Sequence, residues 1–372
     1  MFKKLLLFSL FLFTTGIFSQ NQKLSQNAQV SIFTCDRGEE LYSTFGHTAL
    51  RIQDPINALD VVYNYGCFDF RTENFYLKFV KGDLQYYMNV TSYDDFIFEY
   101  KLDQREVIEQ TLSLPLIKKQ ELFDSLNKSL SSDERYYTYK FIDRNCTTMV
   151  AEKINGLYGK QEISKVDDKS ISYRSLLYPY FENYFWYKLG INIVFGVKTD
   201  YKARQLFLPL ELLHSLDKAT IDGKPIVSNK QIVVQGKTIQ AKFSFFNSIY
   251  LICLLLIIIV LINNRIINKS YLFLCGFFGV VLCLIGLYSE HQEILWNYNA
   301  LLFNPLFILF PFAKDDFIKK IVPILLLLLL VYCVVMITKP HLIIMLPFIG
   351  ANLYILLKIN GRNPLKLLSF VK

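Results

Sequence analysis

The chain has 372 residues, 52% of them hydrophobic, and carries 40 Lys and Arg against 32 Asp and Glu, a net charge of +8. The apolar residues are unevenly spread: residues 21–241 are mixed and polar, and long apolar runs dominate from Phe243 onward. A single soluble globule is excluded, and because many basic residues flank apolar runs the charge is no argument for a nucleic-acid partner.

At the amino end, Lys3 and Lys4 precede the apolar run 5–13 and the small-residue stretch that ends at Ser19 and Gln20. A basic start, a short apolar core and a small residue at the cut predict a secretory signal over 1–19. The segment that follows, 20–165, is then an outer domain. Residues 30–34, 48–52 and 60–66 alternate and predict strands, with a further strand at 84–90. His47 opens the second of these, on the face shared with Ala49 and Arg51. The stretch 94–112 reads as helical or mixed, and 118–130 as a helix with Leu122, Leu126 and Leu130 at four-residue spacing.

Cys146 follows Asp143, Arg144 and Asn145. Asp and Asn are good N-cap residues, and Cys146, Val150 and Ile154 fall on one helical face. A thiol in a first helical turn feels the positive end of the helix dipole, which favours thiolate. His47 is the one histidine between 20 and 165. A thiolate nucleophile needs a base in hydrogen-bond reach, and the base needs an orienter, which Asn64 on the next strand can supply. Tyr63 and Tyr65 compete for that third position. Cys35 and Cys67 complete an odd set of three outer cysteines, so at least one thiol stays free. No Cys/His metal spacing occurs, and no cofactor is expected.

Residues 166–242 predict an extension: tyrosines, phenylalanines and a tryptophan crowd 173–208, a helix spans 210–219, and a hairpin covers 221–239. Aromatic residues with polar tips suit a membrane interface as well as a core. Residues 243–372 form the membrane domain, with apolar segments at 246–263, 271–288, 298–313, 321–338 and 341–357. The third is short and carries Pro305 and Pro311, so a re-entrant course competes with a crossing. If the first domain is outside, the inner loops and tail hold Arg265, Lys269, Lys314, Lys319, Lys320, Lys358, Arg362, Lys366 and Lys372, and the outer loops hold only Lys339. That asymmetry predicts five crossings with the tail inside. Glu290 and His291 then lie in an outward loop.

The runs 41–52, 62–66 and 145–148 together resemble the permuted NlpC/P60 group of papain-like enzymes, in which the histidine strand precedes the cysteine helix. More closely, nearly the whole chain resembles the Lnb family, the lipoprotein N-acyltransferases of Bacteroidota. The resemblance implies an α+β, permuted papain-like outer domain followed by an all-α transmembrane domain of about five helices, in the inner membrane with its amino-terminal domain in the periplasm. It implies Cys146 as nucleophile, His47 as base and Asn64 as third member. Substrate-binding candidates are Ser43, Arg51, Tyr63, Arg144 and Asn145, with Glu290 and His291 from the outer loop. The expected partners are a phospholipid acyl donor and a diacylated lipoprotein acceptor. Two other readings remain: a membrane-anchored cysteine peptidase or amidase acting on the cell wall, and a non-enzymatic envelope binding protein with a structural Cys146.

Overall fold

The structure is a computed structural model and describes residues 22–159, 162–237 and 243–361. The expected signal segment and the basic tail at Arg362, Lys366 and Lys372 lie outside the described residues.

The outer half is built on a seven-stranded antiparallel sheet. Its strands are β1 (Gln29–Cys35), β2 (His47–Asp54), β3 (Leu59–Cys67), β4 (Gln85–Ser92), β5 (Val107–Leu112), β6 (Tyr136–Thr138) and β9 (Val227–Val234), in the order β6-β4-β3-β2-β1-β5-β9. Alternation sorts each strand between two cores. On β2 and β3, Leu50, Ile52, Tyr63 and Tyr65 enter the larger core, with Leu122, Leu126, Val150 and Ile154 of the helices α3 (Leu116–Leu130) and α4 (Cys146–Gly156). Ala49 and Val62 enter the smaller one, with Phe33, Phe96 and Tyr100. Full burial of each such large aliphatic side chain contributes roughly 1.5–3 kcal/mol.

The stretch of mixed character at 94–112 resolves into two elements. Helix α2 (Tyr93–Leu102) is capped by Ser92, whose side chain accepts from the Asp95 N–H, and β5 follows after a turn with Gln104 at φ 54°. A short helix, α1 (Phe75–Lys81), lies between β3 and β4.

Two elements of the expected extension return to the outer sheet. Helix α7 (Pro209–Lys218) packs against β1, and β9 pairs along β5 from Val234 opposite Val107 to Val227 opposite Leu112. The hairpin expected over 221–239 shrinks to the pairing of β7 (Thr220–Ile221) with β8 (Lys224–Pro225). The physical reason lies in β9: its middle residues Ser228 to Ile232 are exposed, a pattern suited to a polar edge strand. Helices α5 (Tyr173–Leu177) and α6 (Phe185–Val194) bridge toward the membrane half.

In that half, three helices among the described residues are long and apolar enough to cross a membrane: α9 (Arg265–Tyr288), α11 (Asp315–Met336) and α12 (Leu342–Ile359). Two of the five expected segments are shorter. Helix α8 (Ile249–Ile262) has 14 residues, and 298–313 breaks into α10 (Asn299–Leu302) and a 3-10 turn, Pro305–Leu309. Pro305 and Pro311 lack the N–H that a continuous helix needs. The broken segment is not looped back on itself. Phe303 lies against Gly279 of α9, Phe307 and Ile308 lie against Gly276, Phe312 meets Phe273 at 6.0 Å, and Lys269 is 3.2 Å from Asp315. The contacts step down α9 from its outer-domain end to its start.

Candidate active site

Cys146 is the first residue of α4, and the local sequence explains why a helix starts there. The Asn145 side chain accepts from the N–H groups of Thr147 (2.9 Å) and Thr148 (3.1 Å), and the Thr148 hydroxyl accepts from the Asn145 N–H at 2.8 Å. This capping box satisfies otherwise orphaned donors and leaves the N–H of Cys146 itself out of the cap. The Asn145 amide also donates to the carbonyls of Phe141 (2.8 Å) and Phe207 (2.9 Å). Every polar group of its side chain is engaged in placing the cysteine.

His47 stands at the start of β2, opposite Cys35 of β1. Gly46 precedes it at φ 80°, and a Cβ there would meet the Cys35 carbonyl oxygen at 2.5 Å, so the turn demands glycine. The α4 start is tied to β2 by a buried contact of 3.0 Å between the Thr48 and Thr147 hydroxyls. On the neighbouring strand, Asn64 pairs with Ala49, and its Oδ1 lies 3.2 Å from His47 Nε2. With Nε2 turned to Asn64, the ring's chief electrostatic partner is the Cys146 sulfur.

The electrostatics separate Cys146 from the other outer thiols. Burial pushes the Cys146 thiol up. The charge of His47, its hydrogen bond, the Thr48 N–H and the Thr147 hydroxyl outweigh burial and hold it below the ordinary 9.0. For His47, burial opposes the charged form, but the Cys146 charge and hydrogen bonds from Cys146 and Asn64 raise it above 6.5. Both shifts favour the charged forms of the two groups. Burial instead pushes Cys35 up to about 12 and Cys67 up to about 11. All seven cysteines are unpaired.

The remaining sequence candidates are dispersed. Ser43 donates to the Glu40 carbonyl (3.0 Å), and its own carbonyl accepts from Gly38 and Gly46, so it shapes the turn before His47. Arg51 lies four residues up β2, about 13 Å away at the usual strand rise. There it is buried against Asp60 (2.6 Å) and Glu109 (2.9 Å), its guanidinium 3.6 Å from the Tyr93 ring centre. Tyr63 points to the opposite face of β3 from Asn64 and donates to Asn127 at 2.8 Å. Arg144 is exposed, over the Tyr137 ring at 5.5 Å. Glu290 and His291 are engaged with the outer domain: the Glu290 N–H donates to Lys81 O at 2.7 Å, and His291 Nε2 lies 2.9 Å from Phe79 O.

Sequence reasoning missed three groups. Gly66, at φ 97°, floors the site, and a Cβ there would lie 3.8 Å from Cys146 Cβ and 4.0 Å from the Tyr137 hydroxyl. Its place at the end of the Tyr-Asn-Tyr alternation was the available signal. The Thr48–Thr147 contact left no signal. The third is a buried polar junction between the two halves. Arg174 reaches Asp200 (2.8 Å) and Asn192 (3.1 Å), and Tyr298 donates to Asp200 at 2.6 Å and lies 3.1 Å from His341 Nε2.

The molecule is therefore an α+β domain with a Cys–His–Asn cluster, seated on apolar helices of membrane-crossing length. Residues 18–178, which include Cys146, His47 and Asn64, match the family model described as the Lnb N-terminal periplasmic domain. No curated protein and no solved structure matches the chain. The outer domain is thus similar to the periplasmic part of Lnb-type proteins, and the membrane-length helices follow it in sequence.

Proposed function

We propose that the protein is a lipoprotein N-acyltransferase of the inner membrane, working from the periplasmic side through a Cys146 thioester. The observation that carries this reading is a cysteine at a capped helix start beside a His47–Asn64 pair, on a domain fastened to the ends of apolar helices. In the first step the Cys146 thiolate attacks an ester carbonyl of a phospholipid. The C–S bond forms, the ester C–O bond breaks, and the lysophospholipid alkoxide takes the proton of the His47 imidazolium. In the second step the α-amine of a diacylglyceryl-cysteine attacks the thioester. Its proton passes to His47, and the thiolate leaves. Asn64 keeps the ring turned toward the sulfur. The Cys146 N–H, outside the cap, serves in this reading as a donor to the oxyanion.

The bundle supports five crossings. The stepwise contacts of 303–315 along α9 fit an extended descent through the apolar layer, with the Arg265–Asp315 and Lys269–Asp315 pairs at the inner surface. At the outer surface, Lys339 and His341 lie beside Asp200 and Tyr298. A domain so placed meets both lipid substrates where their ester and amine lie, and fixing such groups within about 3–3.5 Å of a thiol is worth several kcal/mol of barrier.

The deciding experiment offers the full-length protein in proteoliposomes a phospholipid and a diacylated lipopeptide. Mass spectrometry should find triacylated peptide and lysophospholipid in equal amounts. Cleavage of peptidoglycan fragments without those products would favour the anchored amidase instead.

A further inference from the structure

The outer domain exposes one coherent apolar patch, and it adjoins the thiol. Leu41, Tyr42, Phe70, Tyr76, Leu77 and Phe79 are all exposed, Tyr76 at 74%. Monomeric soluble domains rarely leave so many large apolar groups together in water. The patch is organised. Phe68, two residues past the glycine that floors the site, stands at its centre, with ring contacts to Tyr42 (6.0 Å), Phe70 (5.0 Å) and Phe75 (5.8 Å). From there α1 buries Phe75 inward and turns Tyr76, Leu77 and Phe79 outward.

The neighbours of the patch say what covers it. Helix α1 packs against the outer end of α9. The loop after α9 holds α1 in place through Glu290 on the Lys81 carbonyl and His291 on the Phe79 carbonyl. The last turns of α9 expose Leu284, Leu287 and Tyr288, Leu287 at 87%. In a crossing helix that face meets acyl chains. The apolar face of α1 therefore continues the lipid-facing surface of α9 onto the outer domain, and Lys78 borders it with a positive charge suited to phosphates, while Arg71 and Lys81 are paired with Asp69 and Asp83.

We propose that α1 and the turn before it dip into the outer leaflet and form the lip over which a phospholipid acyl ester reaches Cys146. The occupant is the membrane lipid, not a protein partner. This rests on the acyl-transfer reading for the fate of the ester, but the insertion itself does not. The lip brings the bilayer edge to within a few residues of Gly66 and the thiol, so a chain need not leave the apolar phase to meet the sulfur.

The test places tryptophan at Leu77 in full-length protein carrying Trp186→Phe and Trp296→Phe, reconstituted in vesicles of phosphatidylethanolamine and phosphatidylglycerol with brominated acyl chains. Quenching that exceeds that of a tryptophan at Ile117, also exposed but on α3, supports the proposal whatever chemistry the thiol performs. Equal quenching at the two positions overturns it, even if acyl transfer proceeds. In the same vesicles Tyr76→Asp with Leu77→Asp should lower transfer by roughly tenfold, the scale of a change of about 1.4 kcal/mol. Alkylation of Cys146 by soluble iodoacetamide should be unchanged, which reports an intact site, and Leu77→Ile should transfer like the parent. Full transfer by the double aspartate variant, with alkylation unchanged, would overturn the lip.

Discussion

At the scale of single residues, the cluster separates one thiol from two chemically identical neighbours. Replacing Cys146 by Ser should leave folding and membrane insertion intact and abolish triacylation. Cys35→Ser and Cys67→Ser should act mildly, because burial keeps both of those thiols protonated. Mass spectra of lipoprotein amino termini, in cells that depend on each variant, would check this; normal triacylation with Cys146→Ser would reject the nucleophile. The pH dependence has a definite sign. His47 lowers the Cys146 pKa, so alkylation should begin at a pH below that of an ordinary thiol. His47→Ala removes the cation and leaves burial to act, so the onset moves upward. Each unit of that move costs about tenfold in thiolate at neutral pH. Rates of iodoacetamide labelling from pH 5 to 10 on both proteins read it directly, and coincident profiles would rule out the ion pair. The sequence made the histidine, the cysteine and the asparagine legible because their residue types and strand positions are local. It did not show the partners of Arg51 and Ser43, since only the tertiary fold supplies Asp60, Glu109 and the Gly46 turn.

At the scale of elements, the cysteine's position depends on a cap. Asn145→Ala should cost about 0.5–2 kcal/mol from the cap itself, with more from the orphaned carbonyls of Phe141 and Phe207. The measurable outcome is a lower denaturation midpoint together with slower labelling of Cys146, whereas Asp143→Ala, exposed and outside the cap, should do neither to the same degree. An Asn145→Ala protein with unchanged labelling would mean the helix start is set by other contacts. Strands β1 to β4 were readable from alternation, each within about two residues. The hairpin expected over 221–239 covered the edge strand β9 but not its pairing, because its partner β5 lies more than a hundred residues earlier and its exposed middle carries no apolar period. The stretch at 94–112 was ambiguous for a different reason: a helix and a strand adjoin there with only a short turn between them, and a single window averages the two periods.

At the scale of the whole molecule, the two halves are locked by the buried Arg174–Asp200 pair and its contacts to Tyr298 and Lys339. Arg174→Met leaves Asp200 buried with Lys339 and Tyr298 as its partners, at a cost below the roughly 3–5 kcal/mol of a fully unpaired buried charge. The expected outcome is a lower thermal midpoint in detergent, largely restored by Arg174→Met with Asp200→Leu; an unaltered midpoint for the single variant would show the junction to be slack. Nothing local in the sequence marks this junction, since Asp200 lies 26 residues from Arg174, 98 from Tyr298 and 139 from Lys339. The apolar runs were legible from composition, but the broken course of 298–313 needed the glycines of α9 to be placed against it. That course bears on biogenesis. A stretch whose helix is interrupted leaves amides unpaired and cannot enter lipid alone, because those amides would lose water without gaining partners. Gly279 and Gly276 admit its backbone against α9, and Asn352 of α12 donates to the Leu302 carbonyl at 2.9 Å. On the proposed five-crossing course, the segment gains its last partner only when α12 arrives, so a truncation before Asn352 should leave it half-inserted and a substrate for membrane proteolysis.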